Sequence, residues 1–105
     1  MAWALLMIAG ALEVAWSAGL KKLGEGFSPA LLAVTALALI ASMVTLWGAM
    51  TRLPLGIAYP IWTGIGSVGS VLVGVYFFGQ TVSAVGWAGV ALLVAGMALL
   101  GADAG

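Results

Sequence analysis

Glu13 stands inside an apolar run from Ala2 to Leu20 and is the only ionisable residue within any such run. Lys21, Lys22, Glu25, Arg52 and Asp103 all fall where the apolar runs break. A charged side chain at the centre of a bilayer costs about 2.5–3.5 kcal/mol on insertion scales, so intramembrane acids mark ion, proton and substrate paths. An acid held away from water can bind a proton or a cation, and two such acids brought together would titrate as a pair. On a helix the neighbours of Glu13 at three and four residues are Ala9, Gly10, Trp16 and Ser17. Three are small or polar and one is an aromatic with an N–H donor, so this face can approach another helix and still leave a cleft. The alternative is a protonated Glu that fixes two helices by a hydrogen bond.

A second constellation is Tyr59, Trp62, Thr63 and Gly66, spaced i, i+3, i+4, i+7. Aromatic faces attract cations, and the Tyr O–H and Trp N–H can donate to a carboxylate; ordinary packing is the alternative. Ser42 lies mid-way along another apolar run. Its hydroxyl either bonds its own i−4 carbonyl or faces the Glu13 cleft. Gly64-Ile65-Gly66-Ser67-Val68-Gly69 matches the Gly-x-Gly-x-x-Gly pattern of dinucleotide folds. Nothing around it reads as a strand and no acid follows at the needed distance. The glycines are read instead as sites of close helix contact and bending, with Gly66, Ser70 and Gly74 a small-residue stripe. Pro60 removes a backbone donor and is expected to bend its helix near the start. Gly89 and Gly96 lie on one face of the last run and are expected to form a packing seam between subunits, or within one chain.

These residues need a scaffold, and composition defines it. Of 105 residues 65% are hydrophobic and only 6% charged, against about 25% charged in soluble domains. Mean hydropathy is +1.28. A spanning helix takes about 20 apolar residues, so the chain reads as a single membrane domain, residues 1–105, with four helices at about 2–20, 29–50, 57–78 and 83–100. Polar turns fall at Lys21–Gly26, Thr51–Gly56 and Gly79–Thr81, and Gly101–Gly105 is expected to fray. Trp3, Trp47 and Trp87 fall near helix ends, as interfacial anchors do. The N-terminus lacks the positive region of a cleaved leader. With no Cys, no His and three acids, disulfides and a transition-metal site are not expected. Zero net charge gives no footprint for nucleic acid. No nucleophile–base pair stands out, so the chain is not expected to be an enzyme, and no cofactor is expected. The Lys and Arg bias between the two ends is one residue, Lys21 and Lys22 against Arg52. So weak a bias predicts insertion both ways up, which permits an antiparallel homodimer.

With these residues in place, nearly the whole chain resembles the small multidrug resistance transporters. The resemblance rests on Glu13, Trp16, Leu20-Lys21, Leu53-Pro54-Leu55-Gly56 and Ala58-Tyr59-Pro60-Ile61-Trp62-Thr63-Gly64-Ile65-Gly66. It implies an all-α protein of four transmembrane helices, multi-pass in the bacterial inner membrane, working as a dual-topology dimer that exchanges protons for cations. Gly10, Glu13 to Trp16 and Trp62 to Gly66 are similar to the branch that exports guanidinium. By that resemblance Glu13 takes proton or substrate, with Trp16, Ser42, Tyr59 and Trp62 as its hydrogen-bond network. The implied partners are a small cation, protons, lipid and a second copy of the chain. Two alternatives stay open: a polyspecific exporter of quaternary ammonium drugs, and one subunit of a pair of unlike chains.

Overall fold

The computed structural model describes residues 1–104. They form four helices: α1 (Ala2–Glu25), α2 (Pro29–Met50), α3 (Leu55–Phe77) and α4 (Ala84–Ala104). Each is long and apolar enough to cross a bilayer. The chain punctuates them with local chemistry. Ser28 caps α2 by accepting the Leu31 N–H at 3.3 Å, and Pro29 follows at the first helical position. Between α2 and α3 the Thr51 hydroxyl donates to the Gly48 carbonyl at 2.7 Å. Beyond α3 the Gln80 N–H donates to the Gly74 carbonyl at 2.9 Å, and Gly79 turns the chain at φ 66. That left-handed value favours glycine.

α3 begins at Leu55, inside the expected Thr51–Gly56 turn, because Pro54 leaves Leu55 free to open the helix, and two other helix ends differ by more than this. The segment expected as a polar turn from Lys21 is helical as far as Glu25. Lys, Leu and Glu are good helix formers, and cations near a helix C-terminus suit its dipole, so nothing stops α1 before Gly26. The tail expected to fray from Gly101 is helical through Ala104. Ala102 and Ala104 favour helix, and Gly101 sits beside the Trp3 ring; Gly105 of that expected tail lies outside the described residues.

α1 is the centre of the arrangement, packed against α2 on one side and α3 on the other. α4 packs on α3, where Met97 meets Gly64 closely. The array is thin, 43 × 35 × 16 Å, so much apolar surface faces outward. α4 has no buried residue, and Val85, Leu92 and Leu99 are largely exposed. In water this would be untenable; in lipid it is the ordinary outer surface of a spanning helix.

The packed core lies toward one end of the bundle. It joins Leu6 and Ala9 of α1, Leu46 and Ala49 of α2, and Ile57, Ala58, Ile61 and Trp62 of α3. All of these come from the halves nearest the N-terminus and the α2–α3 turn. Toward the other end, where Lys21, Lys22 and Gln80 lie, α1, α2 and α3 part to leave clefts. Small residues set the closest approaches between α1 and α3. A methyl at Gly10 would meet the Ile65 side chain, and one at Gly69 would meet Val14. The Gly66, Ser70, Gly74 stripe belongs here too: Gly66 faces Glu13 and Ser70 bonds Ser17 of α1. Pro60 lies in the second turn of α3, which continues as one helix on both sides of it.

Candidate functional site

Glu13 lies in a cleft between α1 and α3 lined by Trp16, Ser17, Thr63, Gly66, Ser67 and Ser70, with a volume of about 370 Å³. Gly66 shapes its seat: the carboxyl occupies the space that any side chain on Gly66 would fill. One carboxyl oxygen, Oε1, is fully shielded and has no hydrogen-bond partner, and the Trp16 indole N–H is shielded and unpartnered in the same way. No Lys or Arg lines the cleft. A buried polar group without a partner costs about 1–3 kcal/mol, so native proteins keep few of them without a water, an ion or a function to account for each. A carboxyl oxygen and an indole N–H with unspent hydrogen-bonding capacity thus stand at the wall of the cleft, shielded by their neighbours. The hydroxyls of Thr63 and Ser67 are turned to their own helix, Thr63 donating to the Tyr59 and Pro60 carbonyls and Ser67 to the Thr63 carbonyl. Their oxygens can still accept.

The expected network around Glu13 is divided in the structure. Ser42 and Trp62 come together, but on the Ala9 carbonyl one turn before Glu13. The Ser42 hydroxyl donates to that carbonyl at 2.7 Å. The Trp62 indole N–H donates to the same carbonyl at 3.2 Å and to Ser42 Oγ at 3.1 Å. Ser42 thus bonds across the helix interface and does not take its own i−4 carbonyl. Its side chain is wholly buried, and this bond ties α1, α2 and α3 in the core. Tyr59 packs tilted against Trp62, with ring centroids 5.3 Å apart, and is half-exposed. Within one chain Ser42, Tyr59 and Trp62 line the support beneath Glu13, while Trp16 shares its cleft. Gly10 holds α1 against Ile65 rather than facing the carboxyl. Gly64 seats Met97 of α4, whereas a methyl at Gly89 or Gly96 would meet nothing within 4 Å. Gly96 lines an open groove with Pro60, Thr63 and Gly64 of α3, so it is not packed within its own chain, and Gly89 has open space beside it.

Ser42→Ala removes the bridging hydroxyl but leaves Trp62 bonded to Ala9. The expected loss is about 1 kcal/mol of stability, the usual size of an interhelical side-chain bond in a membrane bundle. A thermal melt of the purified protein in detergent checks it; an unchanged midpoint would contradict the bridging role.

Sequence reasoning passed over Ser67 and gave Ser17 and Ser70 only neighbour and packing roles. The signal was available: Thr63, Ser67, Ser70 and Gly74 recur at helical spacing on α3, and Glu13, Ser17 and Lys21 do so on α1.

Four spanning helices and one unpaired acid in a cleft between two of them define an integral membrane protein built around a polar site at membrane depth. The chain belongs to the Small Multidrug Resistance protein family, whose model matches residues 1–93. It is 45% identical over 100 residues to a "Guanidinium exporter" of Escherichia coli strain K12, covering 92% of each chain. Identity is 44% to a protein of the same name in Salmonella typhimurium strain LT2, covering 92% of each. Its counterpart in Yersinia pseudotuberculosis is 43% identical, covering 92% of this chain and 93% of that one. The chain is thus a multi-pass transport protein of the bacterial inner membrane, in a family of small-molecule exporters.

Proposed function

We propose that this protein exports guanidinium in exchange for protons, with the two cations competing for Glu13. The observation that carries the reading is the shielded, unpartnered Glu13 oxygen in a cleft without a Lys or Arg, in a chain whose relatives are named for guanidinium. Guanidinium is planar and its N–H groups pair bidentately with a carboxylate. Its face suits an aromatic ring, and Trp16 supplies one beside the acid. Because one carboxylate serves both ligands, cation arrival expels the proton and proton arrival expels the cation, which couples the two fluxes.

The working unit in this reading is an antiparallel homodimer. The exposed apolar surface of α4, with open space beside Gly89, and the near-equal distribution of Lys and Arg support it. Two copies bring two Glu13 carboxyls to one chamber, and α3, with Pro60 and its glycines, is the element that flexes as the chamber reverses its opening.

Purified protein in liposomes is expected to give guanidinium-driven proton flux. A bulky tetra-substituted ammonium should drive less, since Trp16 fills space beside Glu13. Equal or greater flux with the bulky ion would transfer the reading to polyspecific drug export; no flux with either would reject transport by this route.

A further inference from the structure

The Glu13 cleft meets a second, smaller pocket at one pair of residues. That pocket, of about 150 Å³, lies one turn nearer the loosely packed end and is lined by Lys21, Gly74, Phe78 and Gln80. Ser17 and Ser70 line both spaces. Their hydroxyl oxygens are 3.0 Å apart, and the Ser17 hydroxyl also lies 3.0 Å from the Val14 carbonyl. When the Ser17 hydrogen is given to Val14, Ser70 is the donor to Ser17; rotation of both hydroxyls reverses the direction. Lys21 and Gln80, at the outer end, are exposed. Glu13, Ser17 and Lys21 follow one another at four-residue steps on α1, about 6 Å of rise each. Two spaces are thus joined in line with the carboxyl through a hydrogen-bonded hydroxyl pair. Glu13 and Lys21 are the only titratable residues lining either space.

We propose that the Ser17–Ser70 hydroxyl pair carries the proton between Glu13 and the aqueous face marked by Lys21 and Gln80. The inference rests on proton exchange at Glu13. On release, the neutral Glu13 carboxyl gives its proton through a cleft water to Ser17 Oγ. Ser17 gives its own hydroxyl hydrogen to Ser70 Oγ, and Ser70 gives its hydrogen to a water in the outer pocket. Each serine ends with one hydrogen, Glu13 is left as carboxylate, and the outer water carries the proton; hydroxyl rotation resets the pair. Guanidinium is excluded from this route, because it would have to part the two serines and pass the Lys21 ammonium. The proton and the organic cation therefore reach Glu13 by different paths. In an antiparallel pair the Lys21 ends of the two copies lie at opposite membrane faces, so coupling requires each relay to conduct only while the chamber opens to its own side.

The test compares two fluxes in liposomes holding the purified protein: guanidinium self-exchange, which needs no proton movement, and guanidinium uptake driven by a proton gradient. Directly placed proton-transfer groups contribute about 100-fold or more; a relay that water can partly replace contributes less. Ser70→Ala is expected to slow proton-driven uptake on the order of tenfold more than self-exchange, Ser17→Ala to behave alike, and Ser70→Thr to restore the ratio of the two fluxes. A parallel fall in both fluxes shows that the pair only holds α1 to α3 and overturns the relay. So does an unmoved ratio in the doubly substituted protein. Proton-linked flux in the unaltered protein with an unmoved ratio sinks the relay alone; no proton-linked flux in the unaltered protein sinks the parent reading as well.

Discussion

Glu13→Gln is expected to abolish proton-linked guanidinium flux while leaving the four helices folded. Glutamine keeps the shape of the side chain, so the seat against Gly66 is still filled. What it loses is the negative charge and the exchangeable proton. Hydrogen bonds to a charged partner are about twice as strong as neutral ones, and here the carboxylate faces a cation in a cleft without a Lys or Arg. We expect guanidinium affinity to fall at least about 100-fold, about 2.7 kcal/mol. Stability should hold or rise, because an amide at membrane depth costs less to bury than a carboxylate. Titration calorimetry with guanidinium and a thermal melt, run on the same samples, separate the two effects. Glu13→Asp keeps the charge one methylene further back, so it should retain proton coupling with weaker binding. Coupled transport at the unaltered rate in Glu13→Gln would falsify the assignment of proton and substrate to this residue.

The helices were legible because each is a long apolar run bounded by Gly, Pro or charge, and that signal needs no tertiary information. Pro29, suited to a first helical turn, marked the start of α2. The ends of α1 and α4 were not legible in the same way. A turn signal such as Lys21-Lys22 is also acceptable helix, and the outcome there depends on what lies beyond the bilayer. Glu13 stood out because a lone acid in lipid is anomalous in any context. Its partners did not, because a side chain's face can be read from spacing while its bonding partner on another helix cannot. Ser42 illustrates the difference. Its position promised a buried hydroxyl, but only the juxtaposition of α1 and α3 shows that the Ala9 carbonyl and the Trp62 indole claim it. The role of Gly66 was legible only as smallness; that the space it leaves holds the Glu13 carboxyl is a property of the assembled pair of helices.

That property makes Gly66→Ala the most informative substitution away from Glu13 itself. The added methyl would coincide with the Glu13 carboxyl and lie 2.8 Å from its Cγ. The obstructing group is the far end of a flexible side chain, so the helices need not separate; the carboxyl swings aside instead. The expected result is a folded protein with a displaced acid. A misplacement of about 1 Å at a reacting group can cost about 100-fold, and we expect a loss of that order in guanidinium flux. Gly69→Ala is the contrasting case on the same helix. Its methyl would meet Val14, whose β-branched side chain has little freedom in a helix. Relief there requires α1 and α3 to part, with an overpacking cost of about 1–3 kcal/mol. Thermal melts and flux measured together should therefore separate the pair: Gly66→Ala loses transport with a nearly unchanged melt, and Gly69→Ala loses stability. If Gly66→Ala instead melts as low as Gly69→Ala, the Glu13 seat is rigid, and its geometry is held by packing on every side rather than by the absence of one methyl group.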